Sequence, residues 1–201
     1  MRLPAVAWVY KPPEGAPAPN KLPSQTRRSF TFGCLNNPAK ISDACATTWA
    51  HVLKAVPKSR LVLMAGRSAE AARILGERFT KLGIASDRLE LVYRLPPAEY
   101  FEAYQPIDLC LDPFPFNGGV TTCDALWMGI PVLTLAGTDY RSRQGVSILN
   151  NLGLPEFVAD TPEKVVELAA ICMSVIVWTG FHASDSRRRM SVTPSPRGMF
   201  A

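Results

Sequence analysis

The chain has 201 residues, of which 47% are hydrophobic and 19% are charged, and its formal net charge is +5. This composition predicts one globular domain with tails and excludes a disordered or membrane-spanning chain. The basic residues are scattered without interleaved aromatic residues, so nucleic-acid binding is disfavoured, whereas an anionic small ligand is compatible. The five cysteines form no CxxC pair, which favours reduced thiols in a cytoplasmic protein.

The first 29 residues are rich in proline and include the stretch YKPPEGAPAPNKLP. Proline at this density favours an extended path over a surface rather than a compact unit. We therefore interpret residues 1–29 as a connector from something upstream.

From Phe30 onward, short apolar runs alternate with amphipathic segments. The runs predict strands near residues 30–35, 61–64, 89–93, 107–111 and 132–135. The amphipathic segments predict helices near residues 42–56, 68–81, 97–104, 122–128 and 142–151, and a last helix from residue 161. Because the strands lack polar alternation, they are typical of strands buried on both faces. The pattern predicts an α/β fold, a Rossmann-like, doubly wound parallel sheet over residues 30–178.

Residues 111–135 contain the clearest candidate for a ligand site, with a strand, a loop rich in Pro and Gly, a helix and a second strand. Asn117, Gly118 and Gly119 permit a tight turn. Thr121 and Thr122 stand where the helix begins, at its positive end and beside backbone N–H groups without helical partners. Since the loop follows the carboxyl end of a strand, the sequence predicts a phosphate-bearing ligand there.

Three further residues are candidates for the same site. Asp124, in the first turn of that helix, suits a ribose hydroxyl, although such an acid also simply complements the helix dipole. Lys40 follows the first strand and suits a diphosphate, although many loop lysines are merely solvated. Asn37 either orients Lys40, binds phosphate or forms an ordinary Asn-Pro turn. No zinc-ligand spacing, nucleophile elbow, GxGxxG or P-loop motif is found in the sequence.

Four segments, in order, resemble one known family: FTFGCLNNPAKI, AVPKSRLVL, LDPFPFNGGVTTCDALWMGIPVLTLAG and SRQGVSILNNLGLPEFVA. The family is that of the O-linked N-acetylglucosamine transferases, whose carboxyl-terminal lobe they resemble, with the bacterial SPINDLY-like members closest. The resemblance runs from about Leu3 to Leu168. It implies the donor-binding lobe of a two-lobe GT-B glycosyltransferase. Such an enzyme uses UDP-N-acetylglucosamine without a metal or other cofactor and modifies Ser or Thr hydroxyls of proteins.

The resemblance also implies roles for individual residues. Lys40 falls on the family lysine that contacts the diphosphate, which makes it the candidate catalytic residue, and Asn37 falls on a neighbouring amide position. Asp124 falls on the ribose-binding acid. Thr121 and Thr122, with Gly119, fall on the phosphate loop of the family. Asn117 and Gly118, which the turn itself indicates, complete the candidate site.

Three positions depart from the family pattern. Where the family has a histidine and, three residues on, an arginine that flank the uracil, this chain has Tyr100 and Ala103. Tyr100 retains the ability to stack on a base, whereas Ala103 carries no guanidinium, which weakens the expectation of uridine binding. Val120 stands where a hydroxyl residue is common.

After Ala170 the resemblance fades, and residues 179–201 are expected to form a poorly ordered tail. A truncated or frame-shifted gene product and a divergent tail are both compatible with this segment. The upstream lobe with the catalytic histidines, and any helical (TPR) repeats, are not found in the 201 residues. We therefore expect nucleotide-sugar binding with weak or no turnover by the isolated chain.

Two alternatives remain open. One is another UDP-sugar enzyme of GT-B architecture, such as an epimerase or a transferase with a lipid or small-molecule acceptor. The other is a non-catalytic remnant of the lobe whose pocket has lost its nucleotide, which the residues at positions 100, 103 and 120 would fit.

Overall fold

The computed structural model describes residues 10–14, 17, 23–25 and 29–179, which form one parallel sheet flanked by helices. The strands are β1 (Thr31–Cys34), β2 (Arg60–Gly66), β3 (Leu89–Tyr93), β4 (Leu109–Leu111), β5 (Val132–Leu135) and β6 (Val158–Ala159). The helices are α1 (Asp43–Ala55), α2 (Ala69–Lys81), α3 (Pro97–Tyr100), α4 (Val120–Trp127), α5 (Gln144–Asn151) and α6 (Pro162–Thr179). The strand order is β3-β2-β1-β4-β5-β6, and neighbouring strands are parallel. The predicted doubly wound α/β sheet is confirmed.

Short-range hydrogen bonds account for the ends of the first two helices. The Ser42 hydroxyl accepts the backbone N–H of Cys45 before α1, and the Ser68 hydroxyl accepts that of Ala71 before α2, each at 3.1 Å. After α2, Gly83 adopts a φ of +81°, a left-handed conformation that glycine tolerates best. The helices predicted near residues 42–56 and 68–81 are therefore confirmed to within one residue at each end.

Some boundaries differ from the sequence-based prediction. The fourth strand begins at Leu109 rather than Ile107, because the N–H of Ile107 closes the preceding turn on the Tyr104 carbonyl at 3.0 Å. Helix α4 begins two residues early, since Gly119 is its N-cap and accepts the N–H of Cys123 at 3.1 Å. The two-residue strand β6 was not predicted, because so short a segment has no periodicity to detect.

The strand order creates a crevice at one edge of the sheet. The chain moves outward from β1 through β2 to β3 and then returns to β4 on the other side of β1. The connections that follow β1 and β4 therefore leave the sheet in opposite directions, and ligands of open α/β sheets bind at such a point. An isolated bridge between Ile41 and Pro115 joins these two connections.

A continuous apolar core supports this edge. Phe32 of β1, Trp49 of α1 and Phe79 of α2 are all less than 2% exposed. None of the helices in the described residues combines the length and hydropathy needed to cross a membrane. The predicted connector lies largely outside the described residues, and the predicted tail lies outside them beyond Thr179. Helix α6 continues past Ala170, where the family resemblance fades.

Candidate functional site

A buried carboxylate supports the loop that follows β4. Asp112 is 4% exposed, and its two oxygens accept the N–H of Gly118 and the hydroxyl of Thr134, each at 2.7 Å. Burial raises the pKa of this carboxyl from 3.8 to about 7, although both hydrogen bonds act in the opposite direction. Sequence reasoning missed Asp112, whose available signal was an acid at the end of an otherwise apolar strand.

The predicted turn at Asn117, Gly118 and Gly119, which we call the glycine loop, leaves no space for a side chain at Gly118. A Cβ on Gly118 would lie 2.5 Å from the Thr122 hydroxyl oxygen and 2.7 Å from that of Thr121. Asn117 is fully buried, and its side-chain amide donates to the Pro113 carbonyl at 3.1 Å. The loop is thus held by its own side chains close to the first turn of α4.

Helix α4 presents its amino-terminal end to the crevice. Its first backbone hydrogen bond runs from the Cys123 N–H to the carbonyl of Gly119, so the amides of residues 120–122 precede the helical ladder. The Asn36 side chain donates to the Thr121 hydroxyl at 2.8 Å and joins the connection after β1 to this turn. Asn36 was also not predicted, because in the sequence it has no feature that distinguishes it from an ordinary loop amide.

Lys40 lies against the glycine loop from the other side of the crevice. Its ammonium donates to the Asn117 carbonyl at 2.9 Å and lies 4.0 Å from the centre of the Phe116 ring. Asn37 begins the turn that carries Lys40, since its side chain accepts the Ala39 N–H at 3.0 Å. Partial burial lowers the pKa of Lys40, while the nearby Asp112 acts in the opposite direction.

A cluster of phenols surrounds Asp124. One carboxylate oxygen accepts the Tyr10 hydroxyl at 2.7 Å, and the other accepts the Tyr100 hydroxyl at 3.1 Å. The Tyr100 and Tyr104 hydroxyls are themselves 2.8 Å apart. Asp124 is 5% exposed, and burial raises its pKa while the two phenol hydrogen bonds lower it. Tyr10 and Tyr104 were not predicted as members of the site.

Several of these groups line one open cleft of about 840 Å³. Its lining includes Asn37, Tyr100, Thr121 and Asp124, together with Tyr10 from the connector. Beside the cleft, Lys40 contacts Asn117, and Gly118 lies against the threonines of the first turn of α4. Gly119 caps α4, the helix that forms one wall of the cleft. The structure therefore brings the nine predicted site residues to one edge of the sheet.

The departures from the family pattern also have defined places. Val120 is the first residue of α4 and is 55% exposed in the cleft. Ala103 packs half-buried against the apolar core. The Tyr100 ring makes edge contacts with Phe101 and Tyr104, at centroid distances of 5.2 and 5.4 Å. Stacking of Tyr100 on a base stays a prediction.

Residues 20–175 match the family described as Glycosyl transferase family 41. The chain is 37% identical over 174 residues to the "Probable UDP-N-acetylglucosamine--peptide N-acetylglucosaminyltransferase SPINDLY" of Petunia hybrida, with 84% of this chain and 18% of that protein covered. The protein of the same name in Arabidopsis thaliana is 36% identical over 175 residues, and the match covers 84% of this chain and 19% of that protein. The chain thus spans about a fifth of the length of these relatives.

Solved structures agree with the architecture. A mutant of the Thermobaculum terrenum O-GlcNAc transferase superposes with a TM-score of 0.72 at 25% identity, over 91% of this chain and 40% of that one. Sucrose-phosphate synthase of Thermosynechococcus elongatus shares the fold at 16% identity, with a TM-score of 0.61 over 89% of this chain and 47% of that one. The fold is that of a lobe of a GT-B glycosyltransferase.

Proposed function

Because the chain belongs to glycosyl transferase family 41, we propose that it is the donor-binding lobe of an enzyme that transfers N-acetylglucosamine from UDP-N-acetylglucosamine to Ser or Thr hydroxyls of proteins. The observation that carries the proposal is the contact between the Lys40 ammonium and the glycine loop, beside the amino-terminal end of α4. The names of the plant relatives, which are those of probable UDP-N-acetylglucosamine--peptide N-acetylglucosaminyltransferases, support the choice of sugar and acceptor.

In this proposal the diphosphate of the donor lies between Lys40 and the first turn of α4. Backbone N–H groups and the positive end of a helix dipole bind phosphate oxygens. As the sugar departs, negative charge grows on the diphosphate, and a fixed, half-buried ammonium stabilises that charge more than a fully solvated one would. Lys40 is therefore the catalytic residue, and it acts on the leaving group.

Asp124 binds the ribose in the same arrangement. A carboxylate accepts hydrogen bonds from vicinal hydroxyls, and Asp124 faces the cleft one helical turn from Thr121. The reaction is proposed to need no metal to stabilise the departing diphosphate. The ammonium and the helix dipole supply the positive charge instead.

The rest of the enzyme is proposed to lie in other segments. A GT-B enzyme closes its site between two lobes, and the chain spans 18% of the Petunia relative. We place an upstream lobe and helical repeats of the TPR type outside this chain, and we place the enzyme in the cytoplasm. The isolated chain is expected to bind donor and to turn it over weakly or not at all.

Calorimetric titration of the purified chain with UDP and UDP-N-acetylglucosamine tests the proposal. Lys40→Ala should weaken binding by roughly ten- to a hundredfold, the effect of removing a charge-assisted contact. Lys81→Ala removes a lysine from the exposed end of α2 and is the matched control. Equal affinity of the wild type and the Lys40 variant would refute the role of Lys40, and absence of binding by a folded sample would refute the function.

One observation favours the alternative of a non-catalytic remnant. Both oxygens of Asp124 already accept phenol hydrogen bonds, so a ribose hydroxyl has to share the carboxylate or displace Tyr10. A screen against several nucleotide sugars separates the possibilities. A folded chain that binds none of them is a remnant, and one that binds UDP-sugars without supporting protein modification in the complete enzyme belongs to another UDP-sugar pathway.

A further inference from the structure

Two arginines stand at the end of the cleft that lies away from α4. Arg67 follows β2 and Arg94 follows β3, and both side chains are exposed. Gly66, which ends β2 with a φ of +87°, accepts the backbone N–H of Arg94 at 2.8 Å. This bond holds the two strand ends together, so both arginines leave the sheet at the same edge and line the same cleft.

The strand order sets how far these arginines lie from the helix terminus. In the sheet, β2 is two strands and β3 is three strands away from β4. At about 4.8 Å per strand, β2 and β3 lie roughly 10 to 14 Å from β4 across the sheet. Thr121, Asp124 and the two arginines line the same cleft, and the strand order separates the strands that lead to the arginines from β4, which leads to Thr121 and Asp124. A nucleotide with its diphosphate at α4 and its ribose at Asp124 therefore extends its base toward the arginines.

The arginine end has a composition suited to a planar, polar group. Within the described residues, neither guanidinium makes an ion pair, whereas Arg73 and Arg78 on α2 both do. An adjoining hollow of about 370 Å³ is lined by the same two arginines and by Tyr93, Leu95 and Pro96. The end of the cleft thus combines hydrogen-bond donors with apolar walls, and no carboxylate lines this hollow.

We propose that Arg67 and Arg94 recognise the base of the donor nucleotide and select bases that carry a carbonyl oxygen, O4 of uracil or O6 of guanine, at the position where cytosine and adenine carry an amino group. The inference rests on the proposed nucleotide-sugar function and identifies residues that determine its specificity. A guanidinium carries five N–H donors and no acceptor, so it bonds the oxygens of uracil or guanine. The amino groups of cytosine and adenine offer it donors, which it cannot accept. These arginines thereby supply the positive group that Ala103 lacks at the position expected from the family.

UDP and CDP provide the sharpest comparison, since they differ where uracil has an oxygen and cytosine an amino group. The wild-type chain should bind UDP at least about tenfold more tightly than CDP. Arg67→Ala and Arg94→Ala should each reduce this ratio about threefold or more, and the double variant should bring it close to one. Arg60→Ala is the matched control, because Arg60 lies at the opposite end of β2, 3.6 Å from Glu90.

Ribose 5-diphosphate, which has no base, separates base recognition from simple attraction of phosphate. Its affinity should be the same for the wild type and the arginine variants. An equal loss of UDP and ribose 5-diphosphate binding would overturn the inference and leave the nucleotide site in place. Equal affinities of the wild-type chain for UDP and CDP would also overturn the inference.

Two further outcomes separate the inference from the proposed function. If the chain prefers GDP over ADP, the arginine substitutions reduce that preference, and UDP does not bind, then the inference is supported and the proposed donor is refuted. If a folded wild-type chain binds neither the nucleotides nor ribose 5-diphosphate, both fall together.

Discussion

Replacement of Asp112 by asparagine should change how the stability of the lobe depends on pH. The carboxylate lies beneath the glycine loop and accepts the Gly118 N–H and the Thr134 hydroxyl, each at 2.7 Å. Asparagine has nearly the same shape, and its oxygen can accept from Gly118 while its amide donates to the Thr134 oxygen. Asp112→Asn therefore preserves both contacts and removes only the titration.

The size of the effect follows from the pKa of Asp112. Burial raises this pKa from 3.8 to about 7, so the folded chain keeps a proton that the unfolded chain releases near pH 4. Between these values folding takes up a proton, and the free energy of unfolding falls as the pH rises. The interval corresponds to about 4 kcal/mol, at roughly 1.4 kcal/mol per pH unit. Above about pH 7 the stabilisation that protonated Asp112 contributes is lost completely, and its contribution to the free energy of unfolding no longer changes with pH.

Urea denaturation at several pH values between 4.5 and 8 measures this effect. Relative to the wild type, Asp112→Asn should gain stability steadily as the pH rises toward 7, by about 3 kcal/mol over this range, and then gain no more. Asp87→Asn, in the exposed loop before β3, removes one negative charge from the chain and serves as the control. Parallel profiles for the wild type and Asp112→Asn would refute the assignment of a buried, protonated carboxyl.

Three further substitutions test the rest of the site and its support. Gly118→Ala places a Cβ 2.5 Å from the Thr122 hydroxyl oxygen and should lower the free energy of unfolding by about 1 to 3 kcal/mol, as measured by urea denaturation, with loss of UDP binding. An unchanged free energy of unfolding and an unchanged affinity for UDP would show that the loop adapts to the added carbon. Tyr10→Phe removes a competitor for Asp124 and should tighten UDP binding about two- to tenfold by calorimetry, whereas weaker binding would make Tyr10 part of the ligand site. Trp49→Ala, at a position 1% exposed in the core, should cost about 3 to 5 kcal/mol of unfolding free energy, and a loss below 1 kcal/mol would contradict the packing.

The sequence predicted those features that depend on local patterns. Apolar runs predicted five of the six strands in the described residues, and amphipathic segments predicted α1 and α2 to within one residue at each end. Lys40 and the glycine loop could be assigned to one edge, because the carboxyl ends of parallel strands share an edge. The predictions therefore succeeded wherever a short stretch of chain determines its own conformation.

The features that sequence reasoning missed are contacts between distant segments. Tyr10 and Asp124 are separated by 114 residues, and Asn36 and Thr121 by 85. Nothing in the residues around Tyr10 indicates that its hydroxyl reaches a helix so far along the chain. Such partners are selected by the packing of the whole lobe, so they become visible only once the sheet order is known.

The contacts of the glycine loop also divide its residues by role. Gly118 was predicted as a phosphate-binding residue, yet its N–H is directed to Asp112 and the space around its Cα is filled by threonine hydroxyls. Gly118 therefore shapes the loop, and in the proposed function the phosphate binds to the first-turn amides of α4 and to Lys40. Because the ammonium also bonds the Asn117 carbonyl, the cation and the loop are positioned together before any ligand arrives. In the proposed function a diphosphate would then meet preorganised donors, which is the condition under which electrostatic stabilisation of a leaving group is most effective.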